Sequence, residues 1–92
     1  MNPTVIKNTA TLLITCPDSR GIVAAIAEFL YQHNANILHA DQHQDAENNL
    51  FLMRVEWDLA GFTLLPSDFE ANFVTIATRF NMEWQLKLSQ KP

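Results

Sequence analysis

Apolar residues recur along the chain at the spacings of strands and helices. Short apolar or alternating runs predict four strands, at residues 10–16, 36–45, 50–59 and 82–88. Apolar residues three and four positions apart predict two helices, at residues 21–33 and 66–80. One face of the third strand is apolar throughout, and it carries Phe51, Met53, Val55 and Trp57.

The order of these elements, strand–helix–strand–strand–helix–strand, is typical of the α+β ferredoxin-like fold, βαββαβ. Right-handed crossovers would place both helices on one face of a four-stranded antiparallel sheet. The other face is then bare, and Leu50 and Leu52 lie on it beside Arg54 and Glu56. Apolar residues on an uncovered face favour association. We therefore expect at least a dimer, formed through the bare faces or through side-by-side helices and sheet edges.

Short polar residues precede both predicted helices. Asp18 or Ser19 is expected to cap the first helix, because such side chains accept hydrogen bonds from free N–H groups. Ser67 or Asp68 is expected to cap the second. Asn34 is expected to take the left-handed conformation that ends the first helix.

Composition narrows the class of protein. The chain has 92 residues, 48% of them hydrophobic and 17% charged, which fits one globular domain. Its net charge is −4 and its six basic residues are scattered, so a nucleic-acid surface is not expected. The first ten residues lack the apolar core of a signal peptide, and no run is long enough to span a membrane. We therefore expect a cytoplasmic protein without a membrane partner.

Two groups of residues suggest chemistry but fit structural roles better. His39, Asp41, His43 and Asp45 alternate and so share one strand face. Neighbours in this stripe lie about 6.6 Å apart and its two histidines about 13 Å, so a metal site would need ligands from elsewhere. We interpret the stripe as a solvated or subunit-facing surface and expect no metal or cofactor. Cys16 is the only cysteine, which excludes a disulfide framework, and a buried thiol is expected.

The segment between the first strand and the first helix reads PDSRG, from Pro17 to Gly21. A strand, then PDSRGIV, then a helix, then ANI at the second strand resembles the ACT domain, a small-molecule sensing module often attached to metabolic enzymes. Within that family, ITCPDSRGIVAAIAEFL, NILHADQH and FLMRVEW are similar to the N-terminal region of formyltetrahydrofolate deformylases. The usual loop of the family reads Asp-Arg-Pro-Gly, whereas this chain has Asp18-Ser19-Arg20-Gly21. The resemblance therefore fixes neither the shape of the loop nor its effector.

The resemblance implies a division of the chain and a binding site. Residues 1–9 would form a tail, residues 10–88 the ACT domain, and residues 89–92 the start of a linker to a formyltransferase-like catalytic domain. That domain would hydrolyse 10-formyltetrahydrofolate to formate and tetrahydrofolate. A small free amino acid, with glycine and methionine the first to test, would bind between two copies of the regulatory domain. Matching the family pattern assigns to this site the residues Asp18, Ser19, Arg20, Gly21 and Ile22 of one copy, with Asn36 and Ile37 of the other.

Two other functions remain open on the residues alone. A free-standing ACT-like regulator or protein-interaction module predicts a stop codon after Pro92, whereas a regulatory domain predicts that the gene continues into a hydrolase. A small enzyme built on the polar second strand predicts turnover or bound metal in the isolated chain. No set of acid, base and nucleophile is recognisable. We therefore expect no deformylase activity from these 92 residues alone.

Overall fold

Six elements follow one another in the predicted order. The computed structural model describes residues 7–91. The elements are β1 (Lys7–Pro17), α1 (Ile22–Gln32), β2 (Asn36–Asp45), β3 (Leu50–Asp58), α2 (Pro66–Phe80) and β4 (Glu83–Lys91). The bounds of β2 and α2 agree with the prediction. β1 begins three residues earlier and β4 ends three residues later than predicted, because the ends of these two strands pair with each other.

The four strands form one antiparallel sheet in the order β2-β3-β1-β4, which confirms the ferredoxin-like fold. β1 is central and pairs along its length with β3 and β4, so that Cys16 lies opposite Phe51 and Thr15 opposite Glu83. β2 and β4 are the edge strands. No helix within residues 7–91 is both long and apolar enough to cross a bilayer.

The core lies between the sheet and the two helices. Alternate residues of β3 are buried there as predicted, from Phe51 to Trp57, and Cys16 at the end of β1 is only 2% exposed. Aromatic rings of the core contact one another. Phe73 stacks on Phe69 with ring centroids 5.3 Å apart and meets Trp84 edge-on at 5.1 Å. Such pairs add specific geometry to the burial of apolar area.

The predicted helix caps are wrong. Gly21 is the N-cap of α1 and Leu65 that of α2, and neither helix has a side-chain cap hydrogen bond. The carboxylate of Asp18 instead accepts a hydrogen bond from Gln44 on β2. In α2 Pro66 occupies the first turn, where its missing N–H and fixed φ cost nothing. Asn34 does adopt the predicted left-handed conformation, with φ 62°.

The sheet face opposite the helices is only partly exposed. Leu52 is 38% exposed, and Arg54 beside it is also exposed. Glu56 lies on this face as predicted, because its β3 neighbours Val55 and Trp57 face the helices. It is nevertheless only 2% exposed and takes part in a polar interaction. This face is therefore less uniform than the alternation of residues suggested.

Candidate functional site

The loop from Pro17 to Gly21 is held against the β2–β3 hairpin. The backbone N–H of Asp18 donates to the carbonyl of Asn49 over 2.9 Å. Nε2 of Gln44 donates to the carboxylate of Asp18, at 3.2 Å from Oδ2 and 3.5 Å from Oδ1. One main-chain contact and one side-chain contact therefore fix the position of this carboxylate at the start of α1.

Gly21 supplies the turn from this loop into α1. Its φ is +86°, in the left-handed region that favours glycine, and a Cβ placed on it would meet no atom within 4 Å. The first N–H groups of a helix have no partner within the helix and carry partial positive charge. Ile22 is buried and anchors the helix, whereas Ser19 and Arg20 are exposed. The loop thus combines open space beside Gly21, the N–H donors of the helix start and the carboxylate of Asp18, with Arg20 exposed in the same loop.

Cys16, directly before this loop, is buried, and its thiol has the properties of a poor nucleophile. Burial, and then the negative charge of Asp18, raise the pKa of its thiol above the ordinary value. A raised pKa keeps the sulfur protonated, while nucleophilic catalysis needs the thiolate. The prediction that this thiol is buried is confirmed.

The single chain does not bring all the predicted site residues together. Pro17 pairs with Leu50, which pairs with Asp45 at the end of β2. Asn36 pairs with Asp58 at the start of β2. The nine strand positions between the two ends of β2 correspond to roughly 30 Å. Asn36 and Ile37 are therefore remote from the loop of their own chain, and both are exposed, Ile37 by 44%.

One side of α1 is apolar and exposed. Val23, Ala27 and Tyr31 are four residues apart and so share a face. Val23 is 40% and Tyr31 80% exposed. Phe29 points away from this face, since its ring contacts Phe69 and Phe73 of α2. The exposed stripe is therefore turned away from α2, on the side of the free β2 edge.

The polar stripe on β2 shares one sheet face, as predicted. Asp41 pairs with Arg54, and His39 with Glu56. A hydrogen bond from the side chain of Asn48 lowers the pKa of Asp45. This contact ties Asp45, the last residue of β2, to the hairpin turn that follows it. Within the described part of the chain, no three His, Cys, Asp or Glu residues are placed to hold a metal ion.

The sequence patterns do not predict two features of this region. Gln44 was assigned no role, although strand alternation places it on the opposite face from His43 and Asp45. Its contact with Asp18 joins residues 26 positions apart, and no local pattern indicates such a contact. Tyr31 is an exposed aromatic residue in an amphipathic helix, and that was the available signal for the α1 stripe.

The fold agrees with what comparison with known proteins finds. The family model of the ACT domain matches residues 10–63 of the chain. The chain belongs to the ACT domain family. The matched residues run from β1 to the loop after β3. They include every predicted site residue.

Relatives of this ACT domain are longer proteins. It is 47% identical over 83 residues to a formyltetrahydrofolate deformylase of Synechocystis sp., covering 90% of this chain and 29% of the relative. It is 41% identical over 81 residues to one of Bacillus subtilis, covering 87% and 27%. A crystal structure of a deformylase from Pseudomonas syringae superposes with a TM-score of 0.85 at 36% identity, over 88% of this chain and 27% of that one. The ACT domain thus spans less than a third of each of these three proteins.

Proposed function

We propose that this ACT domain binds a small free amino acid at a site shared between two copies and thereby regulates a formyltetrahydrofolate deformylase. The observation that carries the proposal is the loop from Pro17 to Gly21. It presents a fixed carboxylate, free helix N–H groups and open space side by side. An amino-acid zwitterion needs these groups, since its ammonium favours a carboxylate and its carboxylate favours a helix N-terminus.

The edge of β2 supports a two-fold partner. If β2 of one copy pairs antiparallel with β2 of another in the register that sets Asn36 opposite Asp45, Asn36 of the second copy lies next to the loop of the first. The same rotation brings the two exposed α1 stripes, with Val23 and Tyr31, against each other. Burial of these apolar side chains stabilises the contact. Asn36 and Ile37, remote within one chain, then complete the site of the other.

Each residue has a distinct role in the proposed site. The ligand carboxylate accepts from the N–H groups near Gly21 and Ile22, with Arg20 close enough in sequence to add its charge. The ligand ammonium donates to Asp18. Gln44 already donates to that carboxylate, so it shares Asp18 with the ligand or gives way to it. Ser19 and the second copy's Ile37 provide a polar and an apolar wall.

The catalytic step belongs to the rest of the longer protein. A deformylase adds water to the formyl group of 10-formyltetrahydrofolate and releases formate and tetrahydrofolate. Cys16 is buried and the pKa of its thiol is raised, which makes it a poor nucleophile for that reaction. We therefore propose that residues 1–92 sense the amino acid and that a following domain carries out hydrolysis.

Complementation between two variants tests the shared site. Calorimetry of the parent chain with glycine and with methionine comes first. Asp18→Asn should weaken binding tenfold to a hundredfold, which is the loss of a charge-assisted contact of roughly 1.5–3 kcal/mol. Ile37→Asn should weaken it from the other wall. An equimolar mixture of the two variants should regain binding, because each mixed dimer contains one site built from unchanged residues.

The outcomes separate the parts of the proposal. Heat from neither amino acid refutes the effector. Binding that is lost in Asp18→Asn but is not regained on mixing means that the site lies within one copy. Formate release from 10-formyltetrahydrofolate by the isolated chain, above a buffer control, refutes the division between sensor and hydrolase.

A further inference from the structure

Three side chains that commonly bind metal ions lie in a row on the open face of β2. His39, Asp41 and His43 are all exposed there, and we call them the β2 triplet. The two histidines are about 13 Å apart along the strand, too far to share an ion. Among residues 7–91, a single copy offers no group of three His, Cys, Asp or Glu placed to hold a metal. Any further ligands must therefore come from a second copy.

The two-fold pairing of β2 proposed above brings a second triplet alongside the first. β2 is an edge strand, and its register with β3 shifts by one residue just before His39. When Asn36 lies opposite Asp45 and the bulged residue is left out of the count, Asp41 is the middle position. It therefore lies opposite Asp41 of the second copy, beside the axis. The same symmetry sets His39 of each copy opposite His43 of the other.

These opposed side chains share one face of the joined sheet. Directly opposite residues of an antiparallel pair have Cβ atoms about 4.5–5.5 Å apart and point to the same side. Each His39 is thus close to His43 of the other copy across the strands, and it is about 6.6 Å from Asp41 along its own strand. Two imidazoles and a carboxylate therefore surround one point on each side of the axis.

The two aspartates at the axis favour a bound cation. Like charges that lie directly opposite each other destabilise a strand pair. Arg54 is the β3 neighbour of Asp41, so it lies on the side of each aspartate that is remote from the axis. The side toward the axis has a carboxylate facing a carboxylate, and a divalent cation there offsets their repulsion.

We infer that the paired β2 strands bind two Zn²⁺ ions, an inference that rests on the dimer of the proposed function. Each ion is held by His39 of one copy, His43 of the other and a carboxylate oxygen of Asp41, with water in the fourth position. Zn²⁺ takes imidazole nitrogen at about 2.0–2.1 Å and carboxylate oxygen at about 2.0–2.2 Å in tetrahedral sites. Mg²⁺ and Ca²⁺ prefer oxygen ligands alone and suit this site poorly.

Metal titration of the parent chain tests the inference. After removal of metal with EDTA, Zn²⁺ should bind at one ion per chain and tighten the dimer at least tenfold in sedimentation equilibrium. Mg²⁺ should do neither. Co²⁺ in the same site should gain the strong visible absorption of tetrahedral coordination, which the ion lacks in water.

Variants of the three histidines show which residues bind the ion. His39→Gln and His43→Gln should each weaken Zn²⁺ more than tenfold, because even the loss of a residue that only supports a metal ligand has an effect of that size. An equimolar mixture should regain about one quarter of the parent's sites, since half of the dimers are mixed and each keeps one intact site. His33→Gln is the matched control, because His33 is the C-cap of α1 and lies outside the triplet. It should bind Zn²⁺ as the parent does.

Asp41→Asn separates metal binding from strand pairing. In EDTA its dimer should be tighter than the parent's, by up to about fivefold, because the opposed charges are gone. Zn²⁺ should then tighten it less than it tightens the parent, because the carboxylate ligand is lost.

Several results would overturn the inference and leave the dimer in place. They are a dimer that Zn²⁺ does not tighten, equal losses in His33→Gln and the triplet variants, and no recovery of sites on mixing. A chain that stays monomeric with and without Zn²⁺ overturns both this inference and the pairing of β2. Calorimetry with amino acids in EDTA tests the effector separately, without any metal.

Discussion

Gly21→Ala separates the backbone role of the effector loop from its role in binding. The residue has φ +86°, and an added Cβ meets nothing within 4 Å, so steric clash contributes nothing. A left-handed conformation costs an alanine about 1–2 kcal/mol. Alanine also has less conformational freedom than glycine in the unfolded chain, and this difference stabilises the folded state by about 0.4–1 kcal/mol. We expect a net loss of about 1 kcal/mol in the free energy of unfolding, or about 4–8 °C in Tm.

Gly61→Ala is the matched control, because Gly61 is also left-handed, with φ +78°. There the new Cβ would lie 3.2 Å from Nδ2 of Asn34, which donates to the carbonyl of Gly61 over 3.0 Å. The free energy of unfolding of this variant should fall by the same amount for the left-handed backbone, and by about 1 kcal/mol more for the disturbed hydrogen bond. Urea unfolding at 25 °C measures both variants. A stabilised Gly21→Ala, or a larger loss there than at Gly61, refutes this reasoning.

Gly21→Asn extends the test to the ligand. Asparagine tolerates the left-handed region better than alanine, so the free energy of unfolding should recover. Its side chain nevertheless fills the open space in which the amino acid is proposed to lie. Calorimetry should therefore show weaker binding in Gly21→Asn despite its greater stability. Unchanged binding would mean that the ligand does not approach this backbone.

Two further predictions concern the core. Phe73→Ala should cost about 3–5 kcal/mol by urea unfolding, because the ring is fully buried and contacts three other rings, and Phe73→Leu should cost clearly less. For Cys16, the raised pKa of the folded thiol means that its contribution to stability is present below the unfolded pKa and is lost as the pH rises through the folded pKa. A thiol reagent at pH 8 should accordingly react slowly with native protein and fast in denaturant, and equal rates would contradict the burial.

The elements were predictable because their signals are local. Alternation along β3 and the spacing of Phe69 and Phe73 in α2 reflect which face is buried, and the structure buries those faces. The caps were not predictable in the same way. Aspartate is a residue type that often caps helices, but the carboxylate of Asp18 accepts a hydrogen bond from Gln44 of β2 instead. A local preference was overridden by a contact that only the fold creates.

The candidate site is less predictable than the fold because most of its parts meet only in space. The loop is contiguous, so its residues could be chosen from one stretch of sequence. Gln44 reaches it through sheet register, and Asn36 would reach it only from another copy. Glu56 illustrates the same limit, since alternation places it on the open face and yet it is buried. Periodicity specifies which face a residue takes, but not what covers that face.

The position of β1 in the middle of the sheet has a consequence for synthesis. β1 pairs with β4, so that Lys7 lies opposite Lys91 and Thr15 opposite Glu83. β1 is synthesised before the other strands of the domain, and one of its edges stays unpaired until β4 has been synthesised. Contacts between such distant residues slow folding, because the chain must close a long loop before they form. A ribosome that has already made β3 and α2 carries a nascent chain in which β1, a central strand of the sheet, still has one open edge. That edge is exposed to other nascent chains until β4 leaves the exit tunnel, so the emergence of β4 protects the domain from aggregation.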